Sequence, residues 1–306
     1  MSPQVIVITG PTACGKSDLA VEIARECEME IVSVDSAQVY RTMDIGTAKP
    51  GAAILEEIPH HLIDIRDPLN PYSAADFRLD AISVITEIQA RGKIPLLTGG
   101  TMLYLKALKE GIADMPGANE RIRAEIVDMA KDKGWSAVHE RLSEVDPVAA
   151  RRINPNDPQR LQRALEVFEI TGETITALHQ SGKIACPFEL FEIAIIPPDR
   201  AVLHQRIEQR FDKMLAQGFM EEVEHLFGRG DLCAELPAIK AVGYRQAWAY
   251  LRGEIDYETM RGKAIIATRQ LAKRQYTWLR GWNSLNLIDS PDKPQVLKIL
   301  EGASIL

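Results

Sequence analysis

The sequence predicts an α/β protein with a parallel-sheet core and an all-helical insertion. In the first third of the chain, short apolar runs such as VIVIT and IPLLTGG alternate with helical periodicity. From about residue 111 to 186 the periodicity is helical, and strand character returns in FEIAIIPPDR. Such alternation is typical of a parallel sheet with both faces covered. We expect a core of residues 1–110 and 190–306 and a helical insertion of residues 111–189.

The first elements of the predicted core are two strands joined through a helix. VIVIT predicts the first strand, and the chain from Lys16 to about Glu28 predicts a helix. EIVSVDS predicts the second strand, which ends on Asp35. Because the carboxyl ends of parallel strands meet at one edge of the sheet, where ligands bind, Asp35 is a candidate site residue.

Two more helices and a strand complete the first third. Ser73 and Asp76 have the spacing of a capping box, which predicts a helix running to about Arg91. IPLLTGG predicts the third strand, and Thr101 begins the next helix. After the strand in FEIAIIPPDR we expect long helices to the end of the chain.

The clearest helix of the insertion is PNDPQRLQRALEVFEITG. Asp157 is its expected N-cap, Pro158 its first residue and Gly172 its stop.

Composition favours a reduced cytoplasmic protein. The chain has 306 residues, of which 46% are hydrophobic. We find no apolar run long enough for a membrane span and no secretory signal. The four cysteines form no C-x-x-C pair, which argues against a disulfide framework and against a zinc site.

Positive charge is concentrated in two segments, although the net charge is −7. Residues 261–282 contain six basic residues and no acid, and residues 151–163 contain four arginines and one aspartate. Cationic segments on an anionic body fit a polyanion bound at one face. The alternative is an ordinary solvated basic helix.

GPTACGKS has the pattern of a phosphate-binding loop, with a strand before it and a helix after it. Backbone amides and the start of the helix would hold an anion. Lys16 would reach the distal phosphate, and Ser17 would bind Mg²⁺. The predicted cradle consists of Gly10, Pro11, Thr12, Ala13, Cys14, Gly15, Lys16 and Ser17.

The phosphate-loop motif predicts anion binding but does not identify the bond that is broken in the reaction. A triphosphatase also needs an aspartate at a strand end behind the metal. IPLLTGG supplies none there, and Asp64 is the substitute that the sequence offers. Asp35 could act as a general base; its structural alternative is the N-cap of a following helix.

Several motifs, taken together and in this order, resemble the bacterial tRNA dimethylallyltransferases, whose fold has a core like that of the P-loop NTPases. These are GPTACGKS, SVDSAQVYRTMDIGTAKP, YSAADFR, LLTGGTMLYLKAL, INPNDPQRLQRALEV, AVGYRQ and TRQLAKRQYTWLR. The match covers nearly the whole chain. Met102 departs from the glycine of many members and leaves the helix start intact.

The resemblance implies a reaction. A dimethylallyl group would pass from dimethylallyl diphosphate to N6 of the adenine 3′ of the anticodon, in tRNAs that read codons beginning with U. The loop would then hold the diphosphate leaving group, stabilised by Lys16 and by Mg²⁺ on Ser17. Asp35 would be the base, and Arg210 in HQRIEQRFDKML would also contact the diphosphate.

The resemblance also implies the RNA contacts. Thr101 would meet the acceptor nucleotide, and Ser36, Ala37 and Gln38 the flipped base and its neighbours. The Gln38 amide offers both a donor and an acceptor for a base edge. In the insertion, which would contact the anticodon stem-loop, the implied residues are Arg123, Gln159, Arg160, Leu161, Gln162 and Arg163. In the core they are Lys240, Ala241, Val242, Gly243, Tyr244, Arg245, Lys273, Arg274, Gln275, Tyr276, Thr277, Trp278, Leu279 and Arg280.

Spacing within the last segment supports a binding stripe independently. Arg269, Lys273, Tyr276 and Arg280 share one helix face, whereas Trp278 falls on the apolar one. Cations interleaved with an aromatic suit a phosphate backbone and an unstacked base. The alternative is a core helix with solvated cationic ends.

Two other functions remain open from the residues alone. A small-molecule kinase would use the phosphate loop and the arginines Arg206 and Arg210. A nucleotide-gated RNA-binding module would need no catalytic carboxylate. The family resemblance favours the transferase and implies a monomer.

Overall fold

The structure is a computed structural model that describes residues 4–113, 115–180, 182 and 184–306. Its strands are β1 (Gln4–Thr9), β2 (Glu30–Val34), β3 (His60–His61), β4 (Pro95–Gly99), β5 (Glu189–Ile195) and β6 (Asn286–Ile288). Its helices up to the end of the insertion are α1 (Lys16–Glu26), α2 (Ala52–Glu57), α3 (Ala74–Ala90), α4 (Met102–Glu110), α5 (Glu120–Val145), α6 (Pro147–Arg152), α7 (Pro158–Thr171) and α8 (Ile175–Gln180). The helices after β5 are α9 (Arg200–Ala216), α10 (Phe219–Gly228), α11 (Tyr244–Leu251), α12 (Tyr257–Arg280) and α13 (Lys293–Gly302).

Within the described residues, the strands form one sheet in the order β3-β2-β4-β1-β5-β6, and every neighbouring pair is parallel. This confirms the predicted α/β class. Strands β3 and β6 were not predicted; they are two and three residues long and lie at the sheet edges. Runs this short carry no readable periodicity.

The core forms where the central strands meet the flanking helices. All residues of β2 are buried, as are Val5 to Ile8 of β1, which explains their nearly continuous apolar sequence. Leu19 and Ile23 of α1 pack in one cluster with Val296 and Leu300 of α13. The end of the chain thereby covers the same part of the sheet as the helix of the phosphate loop.

The predicted capping box of α3 is confirmed. The Ser73 hydroxyl accepts the Asp76 N–H at 3.1 Å, and the Asp76 carboxylate accepts the Ser73 N–H at 2.9 Å. Two otherwise unpaired backbone groups are satisfied in this way. The helix ends at Ala90, one residue before the predicted limit.

The chain divides into two compact units, Met1–Lys109 with Pro187–Leu306, and Glu110–Cys186. The second unit has its own apolar core, in which Val138 and Leu142 of α5 meet Leu161 and Leu165 of α7. Its described residues contain helices and no strand. Helix α5 is interrupted at Gly134, where φ is 80°.

Helix α7 begins and ends as predicted. The Asp157 carboxylate accepts the Arg160 N–H at 3.2 Å, Pro158 is the first residue, and Gly172 ends the helix with φ of 73°. None of the helices that the structure describes combines the length and apolarity needed to cross a bilayer.

Candidate active site

A cleft of about 530 Å³ opens in the first unit at the carboxyl ends of β2 and β4, beside the loop that follows β1. Ligands of open parallel sheets bind at this edge. The predicted site residues that line the cleft are Thr12, Ala13, Lys16, Ser17, Asp35, Ser36, Ala37, Gln38, Thr101, Arg210, Lys240, Ala241, Val242, Gly243, Tyr244, Arg274, Gln275 and Trp278. The fold therefore brings the phosphate loop, the candidate base and part of α12 together.

The loop between β1 and α1 has the backbone of an anion cradle. Ala13 and Gly15 both have positive φ, 64° and 91°, between residues leading into the helix. Alternating left- and right-handed residues turn successive N–H groups towards one point, where an anion binds. Lys16 and Ser17, which begin α1, line the cleft next to these amides. Cys14 is fully buried in the core.

Asp35 lies directly after β2, and only one of its two carboxylate oxygens accepts hydrogen bonds from described residues. Its Oδ1 accepts the N–H groups of Ala37 and Gln38 at 2.8 and 3.3 Å. These bonds hold a turn, since no helix begins there, so the predicted helix N-cap alternative is wrong. No residue among those described donates to Oδ2. The second oxygen is thus available to a ligand proton in the cleft.

Thr101 fixes the turn that carries Asp35. Its Oγ1 accepts the Ser36 N–H at 3.0 Å and lies 3.3 Å from the Ser36 hydroxyl. Because Thr101 follows β4 and Ser36 follows β2, this contact joins two neighbouring strand ends. Asp35, the candidate base, and Thr101, the residue predicted to contact the acceptor nucleotide, are therefore linked through the hydrogen bonds of one turn.

Gln38 differs from its prediction. Its Oε1 accepts the Ser33 hydroxyl at 2.9 Å, and its Nε2 donates to the carbonyls of Thr47 and Ala48, each at 3.3 Å. The amide that was expected to offer a donor and an acceptor to a base edge instead forms hydrogen bonds within the protein. Gln38 thus bonds to Thr47 and Ala48, which line the cleft.

Arg210 of α9 lies half-buried in the cleft wall without an acidic partner. Its Nη1 donates to the Thr12 hydroxyl at 3.3 Å, and it forms no ion pair with any described residue. Burial lowers the pKa of the guanidinium, and the negative charge of Asp35 opposes that shift. Burying a cation without a counter-ion is costly, so the position suits an anionic ligand.

A second cavity, of about 1350 Å³, shares Lys16, Ser17 and Arg210 with the cleft. Arg206 and Lys213 of α9 add positive charge to its lining. Asp64, the substitute metal ligand considered from the sequence, also lines it and accepts Lys49 Nζ at 2.6 Å. The cradle is therefore bordered by open space on two sides.

Glu222 of α10, which no sequence motif predicted, holds a loop whose residues line the cleft. Its carboxylate accepts the N–H groups of Asp44, Ile45 and Gly46 at 2.8, 2.7 and 3.1 Å, and the Tyr244 hydroxyl at 2.5 Å. A Cβ on Gly46 would lie 2.3 Å from the Phe219 ring, so only glycine fits there. No local sequence signal marks Glu222, because the loop N–H groups that it accepts lie 176 to 178 residues away.

Helix α12 presents fewer free cations than its sequence suggests. Arg261 donates to Asp212 at 2.7 Å, and Arg269 donates to Glu208 at 2.9 Å, both acids being on α9. Residues 261–282 contain no acid themselves, but two acids of α9 pair with their cations. The exposed basic residues of α12 that form no ion pair with a described residue are Lys263, Lys273, Arg274 and Arg280.

The predicted binding stripe is wrong at Tyr276. Its ring is buried, and its hydroxyl donates to the Pro197 carbonyl at 2.8 Å. Trp278, assigned to the apolar face, is instead exposed and lines the cleft, with Lys106 Nζ 5.5 Å from its ring centroid. Trp278 is thus the aromatic residue that α12 presents to the cleft.

Four more side chains of the implied RNA contacts are buried, which contradicts direct side-chain contact in this conformation. They are Leu161, Tyr244, Gln275 and Leu279. Lys240 and Arg245, in contrast, are exposed beside the cleft-lining segment of residues 240–244.

In the second unit, two implied RNA contacts neutralise a buried acid. Glu166 is fully buried and accepts Arg123 Nε and Arg163 Nη1, each at 2.7 Å. Burial by itself would raise the pKa of Glu166, but the hydrogen bonds from the two arginines outweigh it and keep the pKa below its usual value. Gln159 and Arg160 are exposed at the start of α7, and Gln162 donates to the Arg123 carbonyl at 3.1 Å.

Comparison with known proteins assigns the chain to a family. A sequence model of the IPP transferase family matches residues 38–282. The chain is 35% identical to a tRNA isopentenylpyrophosphate transferase of Bacillus halodurans, with 99% of this chain and 96% of that chain covered and a TM-score of 0.70. A tRNA delta(2)-isopentenylpyrophosphate transferase of Staphylococcus epidermidis is 32% identical, with coverage of 99% and 98% and a TM-score of 0.70.

A eukaryotic dimethylallyltransferase acting on tRNA is 28% identical, with 99% of this chain and 78% of that chain covered and a TM-score of 0.79. The match of the family model spans most of the chain and includes α12 as well as the residues from Gln38 onward. The chain therefore belongs to the IPP transferase family.

Proposed function

We propose that this protein transfers a dimethylallyl group from dimethylallyl diphosphate to N6 of the adenine that follows the anticodon in tRNAs reading codons that begin with U. The observation that carries the proposal is the pairing, within one cleft, of an anion cradle with a half-free carboxylate. The family assignment and the similarity to transferases that act on tRNA support the same reaction.

The cradle accounts for the leaving group. As the allylic carbon–oxygen bond breaks, negative charge grows on the diphosphate. The Lys16 ammonium, the loop amides and the Arg210 guanidinium would stabilise that charge. Arg210 suits this role because it has no acidic partner among the described residues and gains one when the diphosphate binds.

Mg²⁺ fits the donors that the loop offers. The Ser17 hydroxyl is a hard oxygen ligand beside Lys16, and Mg²⁺ is commonly held by few protein oxygens, with phosphate oxygens and water completing its shell. Bound there, the ion would neutralise part of the diphosphate charge. Within the described part of the chain, no cluster of three His, Cys, Asp or Glu residues forms a separate metal site.

Asp35 would prepare the acceptor. The exocyclic amine of adenine is a weak nucleophile because its lone pair is delocalised into the ring. Asp35 Oδ2 would accept one N6 proton while Oδ1 stays fixed by the amides of Ala37 and Gln38. The base must leave its stack to enter such a cleft, and Thr101 stands at the turn where it would arrive.

The anticodon stem-loop would dock on exposed cations of each unit. In the first unit these are Lys240, Arg245, Lys273, Arg274 and Arg280. In the second unit Arg160 and the neighbouring Gln159 are exposed. Trp278 offers a ring on which an unstacked base could lie.

The test is transfer of label to RNA. Purified protein is incubated with allyl-labelled dimethylallyl diphosphate and unmodified tRNA, and in parallel with γ-labelled ATP as the donor. We expect allyl label in the tRNA and no phosphoryl transfer. Phosphorylation of an acceptor by ATP would support the kinase alternative, and RNA binding without any transfer would support the binding module.

A further inference from the structure

Gln275 connects three segments that meet at the candidate active site. It lies in α12, its side chain is buried, and both ends of its amide are used. Its Oε1 accepts the Thr12 N–H of the phosphate loop at 2.8 Å, and its Nε2 donates to the Gly100 carbonyl at 2.8 Å. The helix that walls the cleft is thereby tied to the loop after β1 and to the turn before α4.

The contact with Gly100 requires a close approach of the backbone. A Cβ at that position would lie 2.4 Å from Gln275 Nε2 and 3.4 Å from the Gly10 carbonyl oxygen. Glycine therefore admits the amide, and the amide supplies a donor and an acceptor in one side chain. A glutamate would offer acceptors only, so it could keep the bond from Thr12 and not the bond to Gly100.

Each anchored segment leads directly to a residue of the proposed chemistry. The Thr12 hydroxyl accepts a hydrogen bond from Arg210 Nη1. The bond between Gln275 and Thr12 therefore lies one contact away from the guanidinium proposed to bind the diphosphate. Gly100 precedes Thr101, whose hydroxyl accepts the N–H of Ser36, the residue after Asp35. One amide thus bonds to two segments that lead to both halves of the site.

We propose that Gln275 is a positioning residue that couples RNA docking on α12 to the arrangement of the diphosphate cradle and of the Asp35 turn. This inference rests on the proposed function. Lys273 and Arg274 immediately precede Gln275 and are exposed, so RNA phosphates bound to them would set the position of α12. Gln275 passes that position to Thr12 and Gly100, and by reciprocity a bound diphosphate favours the RNA-bound position.

The experiment compares Gln275→Ala and Gln275→Glu with Gln270→Ala, a matched control at an exposed glutamine of the same helix. Two quantities are measured for each protein. The first is the single-turnover transfer rate at saturating substrates. The second is the affinity for dimethylallyl thiodiphosphate, a non-cleavable analogue, with and without a saturating anticodon stem-loop; the ratio of the two affinities is the coupling factor.

For the wild type and Gln270→Ala we expect a coupling factor of about fivefold or more. For Gln275→Ala we expect the factor to approach one and the transfer rate to fall at least about tenfold, roughly 1.4 kcal/mol of barrier. Affinity for the stem-loop alone should stay close to the wild-type value, because the exposed cations are unchanged. For Gln275→Glu, which retains the Thr12 bond, the coupling factor and the transfer rate should lie between those of the wild type and of Gln275→Ala.

A purely structural role would lower stability without changing the coupling factor. The inference is overturned if the wild type shows no coupling, or if the Gln275 variants and Gln270→Ala share one coupling factor. If Gln275→Ala does not fold, the Gln275→Glu comparison decides. Absence of transfer by the wild type would refute the proposed function instead, and the coupling factor, measured by binding alone, would still test Gln275.

Discussion

Replacing Glu222 by alanine tests how the loop over the cleft is held. The carboxylate accepts three consecutive backbone N–H groups, from Asp44 to Gly46, and the hydroxyl of the fully buried Tyr244. Burial, with the nearby Glu222 charge, raises the pKa of Tyr244 well above its ordinary value and keeps this donor protonated. Glu222→Ala therefore removes four hydrogen bonds to one charged acceptor.

The magnitude follows from the burial of the donors. Leaving the Tyr244 hydroxyl without a partner costs about 1–3 kcal/mol, and each amide adds roughly 0.5–1.5 kcal/mol, less where water enters the space. We expect a loss of about 3 kcal/mol in the free energy of unfolding. For a unit of this size the corresponding fall in melting temperature is about 6–12 °C.

Activity should fall as well, because Gly46, Thr47 and Ala48 line the cleft. The assay combines thermal unfolding, followed by circular dichroism, with the labelled-allyl transfer rate. The matched control is Glu224→Ala, an exposed glutamate of the same helix. If the two variants melt within about 1 °C of each other and transfer at equal rates, Glu222 does not hold the loop.

Three further predictions concern charge. Asp35→Asn keeps an acceptor for the turn amides, so we expect near-normal tRNA affinity in a filter-binding assay and transfer about 10²–10⁴ slower; an unchanged rate would remove Asp35 from the mechanism. The double variant Lys273→Ala/Arg274→Ala should flatten the dependence of log affinity for tRNA on log salt by about 1 to 2 units of slope, and an unaltered slope would exclude both as phosphate contacts. Because folding lowers the pKa of Glu166, its ion pairs stabilise the fold above the unfolded value of about 4.3 and cease to do so as pH falls through the folded pKa. The melting-temperature gap between wild type and Glu166→Gln should therefore be largest near neutral pH and close in acid, and a gap independent of pH would contradict the assignment.

The elements with local signals were predicted well. Apolar runs marked the central strands, the capping box marked α3, and the Asp157–Pro158 pair marked α7, since each signal depends on residues a few positions apart. The motif of the predicted phosphate loop likewise marked the turn between β1 and α1. The short edge strands β3 and β6 were missed, because pairing with a neighbour defines them rather than their own pattern.

The partners of long-range contacts could not be read from spacing. Gln275 and Thr12 are 263 residues apart, so no local pattern in either segment predicts their hydrogen bond. Spacing placed Tyr276 on a helix face with three cations but could not show that the loop after β5 reaches this residue, where Pro197 accepts its hydroxyl. Likewise, the basic count of residues 261–282 could not reveal the acids of α9 opposite Arg261.

The most direct test of the active-site assignment is a crystal structure with dimethylallyl thiodiphosphate and an unmodified anticodon stem-loop. We expect the diphosphate against Lys16, Ser17 and Arg210, and the flipped adenine with N6 within hydrogen-bond distance of Asp35 Oδ2. A diphosphate bound away from the cradle, or an adenine whose N6 faces a group other than Asp35, would contradict it.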